Sequence, residues 1–246
     1  MKAKKSRGGA PIVVMEKAGR SFGGRVVLSD LDLTICAGEM VGVVGPNGGG
    51  KSTLLLLMSG LLRPTTGRVR VCGLEASALS LTAAGSVGLV TARPGLYPLL
   101  TGRENLQHFG GLFGLSPLEV DAKAEPLARA LELTAGYDER VGRLSTGMQQ
   151  KLSLIRTLLL SPKLLLFDEP TANLDPLAAK VLFAEVRRRA DEGLACVLVT
   201  HDLSAAEAVC DRVLLVDGQV KRELTFAEHR APRVGPLLTA WQEAIR

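Results

Sequence analysis

Aromatic residues are scarce in this chain of 246 residues: they make up 4% of it, against 46% for hydrophobic residues as a whole. Any core must therefore be built mainly from aliphatic side chains, which suits a parallel sheet that is buried on both faces. Long apolar runs are also lacking, because the longest, residues 54–62, is broken by Ser59 and Gly60. No run reaches the roughly 18 residues that a membrane-spanning helix needs. The mean hydropathy of +0.21 nevertheless excludes intrinsic disorder.

Cysteine is rare as well, and its four occurrences include no C-x-x-C spacing. Three of the four lie in or beside apolar runs, where a reduced cysteine acts as a small core residue. The chain also lacks a leader in which charged residues precede an apolar run and a cleavage site. We therefore expect a soluble, cytoplasmic protein of a reducing compartment, for which any membrane role requires a partner. The cysteines are Cys36, Cys72, Cys196 and Cys210.

The most informative segment that is present is residues 45–53, which fit the pattern G-x-x-x-x-G-K-[ST] between an apolar run and a helix-like run. Its glycines let backbone N–H groups turn inward around phosphate oxygens, and the following helix points its positive end at the same phosphates. Lys51 adds a cation for the terminal phosphates, and the Ser52 hydroxyl is placed to ligate Mg²⁺. The alternative is a glycine-rich turn that fits by accident. The predicted phosphate-binding residues are Gly45, Pro46, Asn47, Gly48, Gly49, Gly50, Lys51, Ser52 and Thr53.

Apolar patterns along the chain predict an α/β domain. Residues 12–36 alternate around a Gly-Gly turn and predict antiparallel strands. Residues 93–144 carry helical patterns and predict a helical insert. Strands and helices alternate again from residue 145, which implies a mostly parallel sheet with right-handed crossovers. The strands predicted in this last part are residues 163–168, 195–200 and 212–217.

The charge is mildly basic, with 30 Lys and Arg against 25 Asp and Glu. Part of the excess lies near the N-terminus, and we interpret residues 1–11 as a flexible, solvated tail. A nucleic-acid arm or a contact with an anionic membrane is the alternative, but no nucleic-acid partner is expected. The domain itself is predicted to span residues 12–220, followed by a helical extension over residues 221–246.

Two adjacent acidic residues, Asp168 and Glu169, follow the predicted strand 163–168. Ligands gather at the carboxyl ends of parallel strands, so both acids should lie beside the phosphate loop. Asp168 is suited to hold the Mg²⁺ shell through water, and Glu169 can polarise a water in line with the terminal phosphate. Two acids after a strand could alone mark an exit into solvent, but the phosphate loop favours the catalytic interpretation.

Two further positions could contact phosphate. His201 follows the predicted strand 195–200 and could hydrogen-bond the terminal phosphate or its attacking water, although a lone histidine is more often a surface residue. Ser145 is a good N-cap, and Gly147 leaves the N–H groups of the first helical turn open. This helix start could bind a second anion, and a plain capped helix is the alternative.

Taken together, these motifs resemble those of the nucleotide-binding subunits of ABC (ATP-binding cassette) transporters. GPNGGGKST, LSTGMQQK, LLLFDEP, Asn173-Leu174-Asp175 and Thr200-His201 occur in the order and spacing of that family. The resemblance covers residues 12–220, nearly the whole chain. Five ordered motifs make it far more specific than any single one.

The resemblance also implies roles for individual residues. Phe22 matches the aromatic residue that stacks on adenine, for which only a π-face is needed. Ser145 and Gly147 match the signature motif, which binds the γ-phosphate of an ATP molecule held by a second subunit. Asp175 matches the D-loop across that interface, and His201 matches the switch histidine.

The fold implied by the resemblance is a P-loop NTPase of the ABC ATPase type. The implied function is an ATPase subunit that binds ATP and Mg²⁺ and uses Glu169, His201 and Lys51 in hydrolysis. It would dimerise head to tail around two ATP molecules, with a second copy of itself or a homologous ATP-binding subunit. Its other partner would be a separate transmembrane permease, which it would drive from the inner face of the cell membrane.

Three other functions fit part of the pattern. Non-transport ATPases of the same superfamily usually carry two cassettes, coiled-coil arms or zinc modules, and none is visible in the sequence. A regulatory subunit that binds ATP without turnover would be expected to lack Lys51, Asp168, Glu169 or His201, and all four are present. A small-molecule kinase would need a substrate pocket with its own base, for which the sequence offers no candidate.

The sequence departs from the family pattern in three places. The usual LSGGQ is replaced by LSTGM, with Thr146 and Met148, which resembles the branch that exports drugs, lipids, polysaccharides or sodium. The segment 95–106 resembles the same branch. Gly49 replaces a usual Ala or Ser, which we expect to be harmless in a loop of small residues. Ala92 replaces a glutamine that contacts Mg²⁺, so we expect metal contact at this position to be absent or made by water.

The segment Thr91–Asn105 leaves the predicted sheet and enters the insert, so we expect it to link the nucleotide to a membrane partner. Its apolar residues include Tyr97 and Leu99, with Arg103 and Glu104 at the rim. This mixture suits a socket for a partner's helix. The alternative is an ordinary loop that packs against its own insert.

Overall fold

The computed structural model describes residues 9–76, 85–171 and 174–225. The strands are β1 (Pro11–Phe22), β2 (Arg25–Cys36), β3 (Met40–Val44), β4 (Thr66–Val71), β5 (Leu74–Glu75), β6 (Val87–Thr91), β7 (Leu164–Asp168), β8 (Ala195–Val199), β9 (Arg212–Asp217) and β10 (Gln219–Thr225). The helices are α1 (Lys51–Met58), α2 (Gly102–Gly111), α3 (Pro117–Ala130), α4 (Thr134–Tyr137), α5 (Thr146–Leu158), α6 (Pro176–Asp191) and α7 (Leu203–Val209). Within the described ranges, no helix combines the length and apolar character needed to cross a bilayer.

The first two strands form a long antiparallel hairpin, as the alternation in residues 12–36 predicts. Gly23 and Gly24 make its turn with φ angles of 54° and 85°, a conformation that glycine adopts without steric cost. The hairpin belongs to a four-stranded sheet of order β2-β1-β4-β5. At the end of the hairpin, Phe22 pairs with Arg25, and both residues are exposed.

A second sheet of order β10-β9-β3-β8-β7-β6 forms the centre of the fold, and its pairs are parallel except for β10 with β9. Strands β3 and β8 are buried at every position, and β7 is buried up to Asp168. Apart from Phe167, these three strands contain no aromatic residue, so aliphatic side chains do fill the core. The predicted mostly parallel sheet is confirmed, and the loop after β3 and the acids after β7 lie at the same edge.

The C-terminal part of the described chain differs from our prediction. We assigned residues 221–246 to a helical extension, but residues 221–225 belong to β10, which pairs antiparallel with β9. This edge strand is mostly exposed and rich in polar residues, so it lacks the apolar pattern by which a strand is recognised. The rest of the predicted extension, residues 226–246, lies outside the described residues. The same holds for residues 1–8, which make up most of the predicted tail.

The cysteines behave as the sequence predicts. All four lie within the described residues, and no disulfide joins them. Cys36, Cys196 and Cys210 are buried in the core. Burial raises the pKa of the Cys196 and Cys210 thiols, which keeps both protonated and unreactive.

The helical insert is held together by capped helices and buried polar contacts. Thr101 and Glu104 form a capping box at the start of α2, as Ser116 and Glu119 do at the start of α3. The buried side chain of Asn105 accepts a hydrogen bond from Tyr97 N (2.8 Å) and donates one to Tyr97 O (3.0 Å). Asn105 therefore fixes the segment that precedes α2.

Two residues that we predicted at the rim of a partner socket have structural roles in the insert. Arg103 pairs with Asp121 (2.9 Å) and Asp138 (2.7 Å), and its guanidinium lies 4.5 Å from the centre of the Tyr137 ring. Glu104 accepts a hydrogen bond from the backbone N–H of Thr101. Charge reversal at either position would therefore disturb the insert itself, and it cannot report on a partner.

An ion pair joins the starts of two central strands. Nε of Arg212 lies 2.7 Å from Oε1 of Glu39, and the two side chains are 12% and 8% exposed. Because removing one partner leaves a buried charge unpaired, Arg212→Ala should lower the free energy of unfolding by about 3–5 kcal/mol. Urea unfolding measures this loss, with the exposed Arg68 on β4, changed to Ala, as the control. A loss below about 1 kcal/mol, typical of a surface pair, would contradict the assignment.

Candidate functional site

The predicted phosphate loop connects the end of β3 to the start of α1 at the carboxyl edge of the central sheet. Gly48 and Gly50 have φ angles of 79° and 95°, at which a side chain would be strained. No atom lies within 4 Å of the position that a Cβ on Gly48 would occupy, so the loop is open to a ligand there. A Cβ on Gly50 would lie 2.5 Å from Cδ2 of Leu28, so this glycine also allows close packing on β2.

Two other glycines of the loop are required by the neighbouring backbone. A Cβ on Gly45 would overlap the carbonyl oxygen of Val216. A Cβ on Gly49 would lie 3.0 Å from the same oxygen, and the carbonyl of Gly49 accepts a hydrogen bond from Gly218 N. Gly49 therefore packs closely against the β9–β10 turn, and its harmlessness for nucleotide binding stays a prediction. Alanine there would require its neighbours to shift by a few tenths of an ångström.

Lys51 lies folded over the loop. Its Nζ donates hydrogen bonds to the carbonyl oxygens of Gly45 and Pro46, both at 2.9 Å, and its side chain is buried. Burial lowers the pKa of Lys51, and the nearby charges of Glu169 and Asp168 oppose this shift. A bound polyphosphate would add negative charge beside this buried ammonium group.

Ser52 and Asp168 form a pair that could hold a metal ion. The Ser52 hydroxyl donates to Oδ1 of Asp168 over 3.4 Å, although the two residues are 116 positions apart in the chain. Both groups are hard oxygen ligands, and Mg²⁺ usually takes one or two protein ligands together with waters and substrate phosphates. The described residues contain no cluster of three or more metal-ligating His, Cys, Asp or Glu side chains. The donor set therefore fits a Mg²⁺ ion that is shared with a nucleotide.

Glu169 adopts a left-handed backbone conformation with a φ of 53°, which is uncommon for a residue with a side chain. Its Oε1 lies 2.9 Å from Nε2 of His201, an ion-pair distance when the imidazole is protonated. This oxygen is buried and, within the described part of the chain, accepts no hydrogen bond of regular geometry. The two side chains are therefore in direct contact at the edge where β7 and β8 end.

These residues surround a cleft of about 520 Å³, a size typical of small-molecule sites. Phe22 stands at its rim with 45% of its surface exposed, which is unusual for a large apolar side chain. Arg25, Val27 and Val199 also line the cleft, although our sequence interpretation did not include them. The lining residues are Phe22, Arg25, Val27, Asn47, Gly48, Gly50, Lys51, Ser52, Thr53, Asp168, Glu169, Val199 and His201.

The predicted second anion site is not part of this cleft. Ser145 caps α5 by accepting a hydrogen bond from Met148 N (3.2 Å), and Asp175 caps α6 by accepting one from Ala178 N (2.9 Å). The two helix starts are neighbours, since a Cβ on Gly147 would lie 3.5 Å from Cβ of Ala178. Ser145 and Asp175 are exposed. One chain therefore presents two surfaces, the cleft and this pair of helix starts.

A polar face of α5 was missed by the sequence interpretation. Gln150 Nε2 donates to the carbonyl of Thr91 (2.9 Å), and Arg156 Nη1 donates to that of Gly95 (2.9 Å). Ser153, between them, donates to the carbonyl of Pro94 (3.3 Å). Their three-residue spacing on one helix was the available signal. These bonds tie the segment around Ala92 to the helix that begins at the LSTGM motif.

Comparisons with known proteins agree with this geometry. The sequence pattern of the ABC transporter family matches residues 28–172. An uncharacterised ABC transporter ATP-binding protein of Bacillus subtilis, YdbJ, is 34% identical over 88% of this chain and 70% of its own length. The Nod factor export ATP-binding protein I of a Rhizobium species is 37% identical over 83% of this chain and 68% of its own length.

Solved structures of ABC transporter ATP-binding proteins also resemble this chain. The ATP-binding subunit of an ABC transporter superposes with a TM-score of 0.82 and 28% identity, covering 94% of this chain and 99% of that chain. A dimeric ATP-binding cassette in a post-hydrolysis state, with ADP and phosphate bound, superposes with a TM-score of 0.78 and 28% identity over 88% of this chain and 100% of that chain. The chain therefore belongs to the ABC transporter family, as one of its ATP-binding proteins.

Proposed function

We propose that two ATP–Mg²⁺ molecules are bound between two subunits arranged head to tail. Each nucleotide would lie between the Lys51 loop of one subunit and the Ser145–Gly147 helix start of the other. The observation that supports this arrangement most is the exposure of that helix start outside its own cleft, because the first turn of a helix can bind an anion. A similar cassette forms a dimer with ADP and phosphate bound.

Within each site, the residues of this chain divide the work. Phe22 stacks on the adenine ring, and the loop N–H groups and Lys51 bind the phosphates. Ser52 and Asp168 would hold Mg²⁺, which would supply positive charge beside the phosphates when bound. Glu169 polarises the attacking water, and His201 orients that water and the terminal phosphate. Asp175 acts across the subunit interface.

We propose that hydrolysis powers export by a separate transmembrane permease, with this chain on the cytoplasmic face of the cell membrane. The names of similar proteins support the direction, because several of them are Nod factor export ATP-binding proteins. The LSTGM motif supports it independently. The second subunit is either another copy of this chain or a homologous ATP-binding subunit.

The proposed contact with the permease lies on the segment before α2. Leu99 is 80% exposed and Tyr97 is 49% exposed, while Asn105 holds the backbone of this segment in place. Gln150 and Arg156 on α5 connect the same segment to the helix that begins at the LSTGM motif. This contact would therefore sense the arrangement of the nucleotide-bound dimer.

Leu99→Asp should uncouple the permease without affecting ATP hydrolysis by the free subunit, because the side chain lies outside the cleft. The measurement is co-purification of the co-expressed permease, together with its stimulation of the ATPase. Leu118→Asp is the matched control, since Leu118 is 82% exposed elsewhere on the same insert. Normal co-purification and stimulation for Leu99→Asp, with a loss for Leu118→Asp, would move the contact to another face of the insert.

A further inference from the structure

Arg20 lies behind the ring of Phe22. Its Cζ is 4.5 Å from the ring centroid, within the range of a cation–π contact. Phe22 lines the cleft and Arg20 does not, so the guanidinium covers the ring on a side away from the nucleotide space. One face of the exposed phenyl ring is thus occupied, which leaves the other face for a base.

The guanidinium is itself held in place. Nη1 of Arg20 donates a hydrogen bond to the carbonyl of Arg63 over 2.9 Å. Its Nε is buried and has no hydrogen-bond partner among the residues that the structure describes. Burying a donor without a partner costs free energy. The contact with the Phe22 ring and the bond to Arg63 are the interactions that offset this cost and hold the guanidinium in place.

The same loop that carries Arg63 also supports the backbone on either side of Arg20. The Thr65 hydroxyl accepts a hydrogen bond from Ser21 N (3.0 Å), and Thr65 N donates to the carbonyl of Gly19 (2.7 Å). This loop follows α1, the helix that begins at Lys51. The end of the hairpin and the phosphate-binding helix are therefore connected through these contacts.

We infer that Arg20 is a positioning residue for ATP binding, which orients the Phe22 ring for stacking on the base while making no contact with the nucleotide. The inference rests on the proposed role of Phe22. An exposed phenyl ring at a hairpin end would otherwise lose rotamer freedom on binding, and the guanidinium removes that cost in advance. Arg20 should therefore affect the affinity for the base and leave the phosphate contacts unchanged.

The test measures binding of Mg²⁺–ATP and of inorganic tripolyphosphate, which has no base, by isothermal titration calorimetry. Arg20→Ala should weaken ATP binding about two- to fivefold and leave tripolyphosphate binding unchanged. It should raise KM and leave kcat unchanged. In a Phe22→Ala background, Arg20→Ala should have no further effect on ATP binding. Arg20→Lys should restore part of the affinity, because it returns a cation to the ring.

Two controls keep the result interpretable. Arg68→Ala removes an exposed arginine from β4 and should bind both ligands as the wild type does. Arg20→Met keeps the side-chain volume without the charge, and it replaces Arg20→Ala if the alanine variant does not fold.

The possible results distinguish a wrong role for Arg20 from a wrong role for Phe22. Wild-type ATP affinity for Arg20→Ala, while Phe22→Ala weakens binding, would overturn the inference about Arg20. Equal weakening of ATP and tripolyphosphate binding would overturn it too, because the effect would then be a general disturbance of the loop. Wild-type ATP affinity for Phe22→Ala would overturn both the stacking role of Phe22 and the inference.

Discussion

Glu169→Gln should reduce ATP turnover by about a hundred- to ten-thousandfold, the range lost when a general base is removed. The amide keeps the shape of the side chain but cannot polarise the attacking water as a carboxylate does. The contact with His201, at 2.9 Å in the present geometry, would lose its charge but keep its packing. ATP affinity should therefore stay close to that of the wild type.

Phosphate release measures the turnover of this variant, and calorimetry measures its affinity for ATP. Glu75→Gln is the matched control, because Glu75 is an exposed carboxylate on β5, outside the cleft. Wild-type turnover in Glu169→Gln would show that another group activates the water. If the wild-type chain binds ATP but does not hydrolyse it, the result would instead favour a regulatory subunit. The support for that function is Ala92, which stands where the family has a glutamine.

Lys51→Ala should weaken ATP binding by about ten- to a hundredfold, the loss expected for hydrogen bonds to a charged group. Turnover should fall as well, because the variant lacks the cation that faces the terminal phosphates. Part of the loss would come from the loop itself, since the carbonyl oxygens of Gly45 and Pro46 would lose their donor. ATP titration and phosphate release measure the two effects separately.

Lys180→Ala is the control for this change, because Lys180 is an exposed lysine on α6 and does not line the cleft. Lys51→Arg adds a second comparison: it keeps the charge but places a larger, planar group in a buried position. Unchanged ATP affinity in Lys51→Ala would contradict the assignment of residues 45–53 as the phosphate loop.

The part of the site that could be predicted from the sequence is the part that depends on local patterns. Residues 45–53 run from the end of a buried strand into a helix, and Asp168 and Glu169 lie at the end of a second buried strand. Because parallel strands end at one edge of the sheet, it could be predicted that Ser52 and Asp168 lie close together. The hairpin and the insert were predicted from periodicity together with turn and helix-boundary residues.

The parts that could not be predicted depend on contacts between distant segments. No local pattern tells that Gly45 lies against the carbonyl of Val216, or that Arg103 pairs with Asp121 and Asp138. Arg103 looked like a free surface charge because its partners are set by the packing of the insert. The bond between Glu104 and Thr101 is a local capping box, a signal that the sequence interpretation missed. Strand β10 was missed for a different reason. It is an exposed edge strand, and such a strand needs no apolar alternation that a sequence pattern could reveal.

The nucleotide-dependent dimer is the central claim, and the molar mass of Glu169→Gln tests it most directly. Multi-angle light scattering should give a particle of twice the 26.0 kDa chain mass with ATP and Mg²⁺, and a monomer with ADP. Adding Ser145→Arg to this variant should prevent the dimer, because the substitution blocks the helix start that contacts the partner's nucleotide. A Glu169→Gln chain that binds ATP yet remains at 26.0 kDa would contradict a head-to-tail dimer of two copies of this chain.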